Sequence, residues 1–230
     1  MVAAEIAQAS QPFQFYARLH LRELTGLKAR NLKELLSYIK TVPGSIIYHH
    51  THHFLQQHQY LSPEPPNDFA YWVTEALNEP KLGEKLSSIN TCEFSTIRAL
   101  RDKIAATIEE FLNKSKRPLK EVSEGQELYF IKSISFILPT PYTIRTLEEF
   151  ALILKKITID SIYFHMFESR LRLERGTNDF SLWLETSLGE KELAKKIGKL
   201  DPYTHTMEGL RSKVIQLIEV RLKELGQCPA

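Results

Sequence analysis

The chain has 230 residues, 43% of them hydrophobic and 25% charged, with a formal net charge of +2. This composition is that of a globular protein and excludes a disordered one. Lys and Arg against Asp and Glu number 12 and 12 through residue 115, and 18 and 16 after it. Neither half therefore offers the basic stripe that nucleic acid or an anionic membrane surface selects.

In chain order, Phe13 to Leu21 reads as a short extended segment, and Leu32 to Thr41 as a helix with Leu32, Leu35, Leu36 and Ile39 at helical spacing. Ser45 is placed to cap the next helix, which carries Tyr48-His49-His50-Thr51-His52-His53 and then His58. A proline-rich loop, Leu61 to Pro66, leads to a helix opened by Asn67-Asp68, with Phe69, Trp72, Val73, Ala76 and Leu77 on one stripe. A short helix over Pro80 to Ile89 and a long one over Phe94 to Leu112 follow. Lys114 to Gln126, with Pro118 and Gly125 and no apolar periodicity, reads as a linker. Leu128 to Leu138 is rich in aromatic and branched residues, as strands are, and Pro139 and Pro141 are expected to end it. Helices are then expected over Leu147 to Lys156, after an Asp160 cap, from Asn178-Asp179, over Lys191 to Leu200 and over Thr206 to Leu225.

This order is a repetition. Arg30, Leu32, Glu34, Lys40, Ile47, Tyr48 and His50 recur 115 residues later as Arg145, Leu147, Glu149, Lys155, Ile162, Tyr163 and His165. Asn67, Asp68, Phe69 and Trp72 recur at a shift of 111, and Leu100-Arg101 at 110. Both tryptophans of the chain fall in the same Asn-Asp-Phe-x-x-Trp phrase, so the chain reads as a duplicated unit. The fold expected is mainly α: a tandem duplication of about five helices per copy, each copy opening with at most one short strand. The expected boundaries are residues 1–115 for the first repeat, 116–126 for the linker and 127–230 for the second.

The two cysteines, Cys92 and Cys228, have no C-x-x-C spacing, so a disulfide framework and a cysteine zinc site are not expected. No stretch approaches the apolar length of a spanning helix, and the first 14 residues lack the basic start and apolar run of an export signal. A reducing cytoplasm is the expected setting.

Two readings compete for the histidines. His50 and His53 lie three apart on one helical face, and the second copy presents His165 and Glu168 at the same positions. Were the copies to converge, these four could ligate a divalent metal, giving a metal-dependent hydrolase or oxidase between the repeats. The other reading is structural. His50 and His165 each bind the aspartate opening the next helix, Asp68 or Asp179, and Arg101 or Arg211 closes the cluster by contacting the same carboxylate. Asn67 and Asp68 capping their helix is the simplest account of that pair. The segment Glu168 to Arg175 holds three arginines, but Glu168 and Arg172, then Arg170 and Glu174, stand at i, i+4 and can satisfy each other, as on a solvated face. No Gly-rich phosphate loop, nucleophile elbow or His-Glu-x-x-His is present.

Ile47 to His50, Asn67 to Trp72 and Leu100-Arg101, together with their recurrences, resemble an uncharacterised family of soluble bacterial and archaeal proteins of unknown function. The resemblance covers nearly the whole chain; it implies a shared fold and assigns no catalytic residue. A non-catalytic binding, scaffolding or regulatory module ranks above the metal enzyme. Its partner would be a protein or small molecule, neither nucleic acid nor membrane, with self-association into a homo-oligomer left open.

Overall fold

The computed structural model describes residues 7–57, 67–115, 118–169, 177–201 and 205–226. The elements are β1 (Phe13–Ala29), α1 (Leu32–Thr41), α2 (Gly44–Gln57), α3 (Asp68–Glu75), α4 (Pro80–Ser87) and α5 (Ile97–Lys114), then β2 (Leu128–Ile144), α6 (Leu147–Leu154) and α7 (Ile159–Tyr163). A π-helical turn, Phe164–Glu168, extends α7, and α8 (Asp179–Thr186), α9 (Lys191–Gly198) and α10 (Met207–Glu224) follow. No helix of the described residues is long and apolar enough to cross a membrane.

The helix starts follow from side chains that accept otherwise unsatisfied first-turn N–H groups. Asn31 accepts from Glu34, Asn67 from Ala70, Asn178 from Ser181, and Thr146 forms a reciprocal capping box with Glu149. Two expected caps are misplaced. Asp160 lies inside α7, whose cap is Thr158, and Ser45 lies inside α2, which begins at Gly44 behind Pro43.

The chain separates into two units. Unit A holds α1 to α5 with the chain from His20 to Ala29 and from Leu128 to Ser135; unit B holds α6 to α10 with the chain up to Leu19 and from Phe136. In unit A, Leu35, Ile39, Ile47, Phe69, Val73, Leu82, Leu100, Ile108 and Phe130 form one buried cluster. Each such side chain contributes roughly 1.5–3 kcal/mol on leaving water. In unit B the centre is aromatic, with Phe13 and Phe15 against Phe150, Phe180 and His165 at ring separations of 4.9 to 6.4 Å.

The expectation of a mainly α fold built from two self-contained repeats is overturned. The described chain is 56% helical and 18% strand, and β1 and β2, 17 residues each, pair antiparallel in one two-stranded sheet. Neither strand is a short opening segment. β2 runs through Pro139 and Pro141, which were expected to end it. Both strands of a two-stranded sheet are edge strands, and two prolines spaced by two lose their N–H on the same side, where no partner is needed.

The unit boundaries also differ from residues 1–115 and 127–230, because each strand changes unit midway, at Leu19/His20 and Ser135/Phe136. The first half of β1 therefore packs on the helices that follow β2, and the first half of β2 on the helices that follow β1. The contacts repeat, with the strand-side residues at a shift of 115 and the tryptophans at 111. The Trp183 indole N–H donates to the Gln11 carbonyl at 2.8 Å, and Trp72 to Gln126 at 2.7 Å. Thr140 donates to the Phe15 carbonyl at 2.9 Å, and Thr25 to Phe130 at 2.7 Å.

Candidate functional site

Each unit centres its polar interior on one histidine. In unit A, His50 rises from α2, an α-helix that places it beside Ile47 on the core face, and is 2% exposed. Its Nδ1 lies 2.8 Å from Asp68 at the start of α3, and its Nε2 accepts the Ile131 N–H of β2 at 3.0 Å. In unit B, His165 Nδ1 lies 2.8 Å from Asp179, and Nε2 accepts the Tyr16 N–H of β1 at 2.9 Å. Because Nε2 accepts a hydrogen bond from the strand N–H, it carries the lone pair, so Nδ1 carries the hydrogen and donates to the carboxylate. Each ring thus ties a helix, the next helix and a strand together, and leaves no lone pair for a metal.

The expected arginines do not join these clusters. Arg101 donates to the Val42 carbonyl at 2.6 Å, holding the turn between α1 and α2, and Arg211 faces Glu208 at 3.2 Å. Of the four expected metal ligands, Glu168 binds Arg18 at 2.9 Å, and Arg18 lies 4.8 Å above the Tyr163 ring. The His53 side chain, His58, the loop Leu61 to Pro66 and Arg170 to Arg175 lie outside the described residues. Among the described residues no group of three or more His, Cys, Asp or Glu is placed to hold a metal ion.

Sequence reasoning missed Tyr16, Ile131, Arg18 and Ser133. The signal that finds the first two is the shift of 115 carried upstream of Arg30, where Phe15 meets Phe130 and Gln11 meets Gln126. It also exposes a difference between the units. Arg18, 4% exposed, corresponds to Ser133, whose hydroxyl lies 3.2 Å from His20. His20 stacks on His49 with ring centres 5.9 Å apart and an interplanar angle of 8°. His52 stacks on Tyr48 at 5.1 Å, and its Nδ1 lies 2.8 Å from Thr51, whose hydroxyl donates to the Ile47 carbonyl. That Thr hydrogen being used, the hydrogen between them belongs to His52 Nδ1. Away from these rings, a surface cleft of about 380 Å³ is lined by Glu190, Leu193, Lys196, Leu217 and Arg221, with Arg221 bound to Glu190 through two nitrogens at 2.9 and 3.2 Å.

A model of the family of unknown function DUF5752 matches residues 10–219, spanning both units. The chain belongs to the DUF5752 family. This DUF5752 chain is also similar to a solved structure, OrfY from Thermoproteus tenax, at 28% identity and a TM-score of 0.79. The likeness covers 94% of this chain and 98% of that one. Comparison with curated proteins gives no match. His50, Asp68, Trp72, His165, Asp179 and Trp183, which recur between the two copies, join helices to one another, to the strands or to the segments that lead into them.

Proposed function

We propose that this chain is a non-catalytic binding module that takes up an extended segment of a protein partner along the outer edge of β2. The observation that carries the reading is the run Phe136-Ile137-Leu138, exposed by 48, 45 and 51% in succession within a strand that has one neighbour. An edge strand presents unpaired N–H and C=O groups outward, and proteins ordinarily blunt such edges with charge. From Ser133 to Leu138 this edge carries none. A strand added there would gain main-chain hydrogen bonds, with apolar residues at alternate positions meeting Phe136 and Leu138. The residues of richest chemistry support the same reading from the other side: His50, His165, Arg18, Glu168 and Arg101 are each engaged within their unit. A cytoplasmic location belongs to the proposal and rests on the sparse use of cysteine.

Selection of random 12-residue peptides displayed on phage, against the wild-type chain and Ile137→Lys, tests it. Enriched peptides should alternate apolar and polar residues, protect the amides of 133–138 from exchange, and lose binding to I137K. No enrichment, or peptides that bind I137K equally, overturns the reading. Concentration-dependent self-association that I137K abolishes, with no peptide enriched, also overturns it and gives the edge to a second copy of the chain.

A further inference from the structure

We propose that the outer edge of β2 takes its partner segment in a single register, bonded to the main chain of Ser135 and Ile137, and that Pro139 and Pro141 set this register by ending the edge. The inference rests on the reading of β2 as a docking edge. Both ends of the strand fix which way each residue turns its N–H and C=O. Near the start, Ile131 gives its N–H to His50 of α2 at 3.0 Å and not to β1. Near the end, the Thr140 and Tyr142 carbonyls accept from the Gln14 side chain of β1 at 2.7 and 3.1 Å. The two groups of one strand residue lie on the same side, and the side alternates. Even-numbered residues therefore face β1, and odd-numbered ones face outward.

Little of that outward edge is open. α2 lies along it at Ile131, where His50 reaches the backbone, and Ser133 is buried. Pro139 and Pro141 have no N–H to offer. Between these limits stand Ser135 and Ile137, both exposed, whose outward N–H and C=O groups suit a strand of about four or five residues. A segment running further would set a carbonyl opposite Pro139 with no donor, and an unsatisfied carbonyl is costly. The segment leaves the edge there. A second copy of the chain fits poorly, because two β2 edges paired antiparallel about Phe136 bring Pro141 of one against Ile131 of the other, where α2 already lies. A single extended segment brings no helix with it.

The matching stretch of β1 is built otherwise. At the shift of 115, Ser135, Ile137, Pro139 and Pro141 correspond to His20, Arg22, Leu24 and Gly26. Arg22 puts charge on that edge, which is one common way to keep other strands off, and no proline follows it. The uncharged edge of β2 needs another device to limit pairing, and two prolines on its outward side supply it.

Amide exchange of the whole chain, with and without a phage-selected 12-residue peptide, tests this in the wild type and in Pro139→Ala with Pro141→Ala. Both prolines are exposed and the new N–H groups meet solvent, so the variant keeps the fold, which unchanged protection of Ile131 verifies. In the wild type, the peptide should add protection at Ser135 and Ile137 and none at Phe136 and Leu138, which already face β1. Extending the peptide by two residues at the end that meets Pro139 should change its affinity by less than about twofold. In the variant, the added protection should spread to the amides at 139 and 141, and the extended peptide should bind about fivefold tighter, the worth of one more main-chain hydrogen bond. Protection gained at even-numbered amides, or a footprint and affinity in the variant identical to the wild type, overturns the register and leaves the docking reading standing. If no peptide binds either chain, both fall.

Discussion

Replacing Asp179 by Ala removes the acceptor for His165 Nδ1 while leaving the ring clamped by the Tyr16 N–H on its other nitrogen. The His165 side chain is 2% exposed and that of Asp179 only 14%, so the orphaned donor stays dry. Leaving such a group unsatisfied costs about 1–3 kcal/mol. Asp68 makes the same 2.8 Å contact to His50 but its side chain is 46% exposed, so water can take its place. Asp68→Ala should therefore cost about 1 kcal/mol less than Asp179→Ala, since the loss of a first-turn acid, about 0.3–1 kcal/mol, is common to both. Urea unfolding read by the remaining tryptophan isolates each unit: Trp72→Phe leaves Trp183 to report unit B, and Trp183→Phe leaves Trp72 to report unit A. In thermal melts a difference of 1 kcal/mol appears as about 2–4 °C in a chain of this size. An Asp68→Ala loss equal to or larger than that of Asp179→Ala would refute the argument that exposure of the carboxylate sets the penalty.

A Cβ at Gly83 would overlap the Thr74 hydroxyl, which donates to the Ala70 carbonyl at 2.9 Å; Gly83→Ala should destabilise by about 1–3 kcal/mol in urea unfolding. Thr74→Ala should restore much of that loss in the double variant, and the position that matches Gly83 in unit B is a buried alanine, Ala194. Arg18→Met should destabilise unit B by about 3 kcal/mol, because it removes the guanidinium that Glu168 binds at 2.9 Å in a largely buried place. The backbone N–H of Glu127, then the Lys28 ammonium, hold the Glu127 carboxyl down to about 2. Its folded value being below the unfolded one, the stabilisation is full above about 4.5 and lost as pH falls through about 2. The stability gap between wild type and Glu127→Gln, measured by denaturant titration, should close over that interval.

The helices were legible because each carries its own instructions. Leu32, Leu35 and Ile39 give α1 its stripe, and Asn31, Asn67, Thr146 and Asn178 mark starts that a neighbouring N–H confirms locally. The His50–Asp68 and His165–Asp179 contacts were legible for a related reason: a core-facing ring needs a partner, and an aspartate opens the next helix. The strands were not. Arg22, Glu23 and Lys132 interrupt any alternation, because the middle of the two-stranded sheet is exposed and needs no buried face. Nor could spacing show which helices a strand serves. Tyr16 and His165 are 149 residues apart and Ile131 and His50 are 81 apart, distances at which no local pattern acts. The arginines misled because Leu100-Arg101 and Leu210-Arg211 match in sequence, while one guanidinium reaches a carbonyl and the other a glutamate.

The exchange of strands between the two copies is tested most directly by hydrogen exchange at two amides in His165→Phe and His50→Phe. Removing the His165 acceptor should release the Tyr16 amide, 149 residues away, and leave Ile131 protected; removing His50 should do the reverse. Had each copy kept its own strand, His165→Phe would release Ile131 and spare Tyr16, and that result would contradict the architecture described.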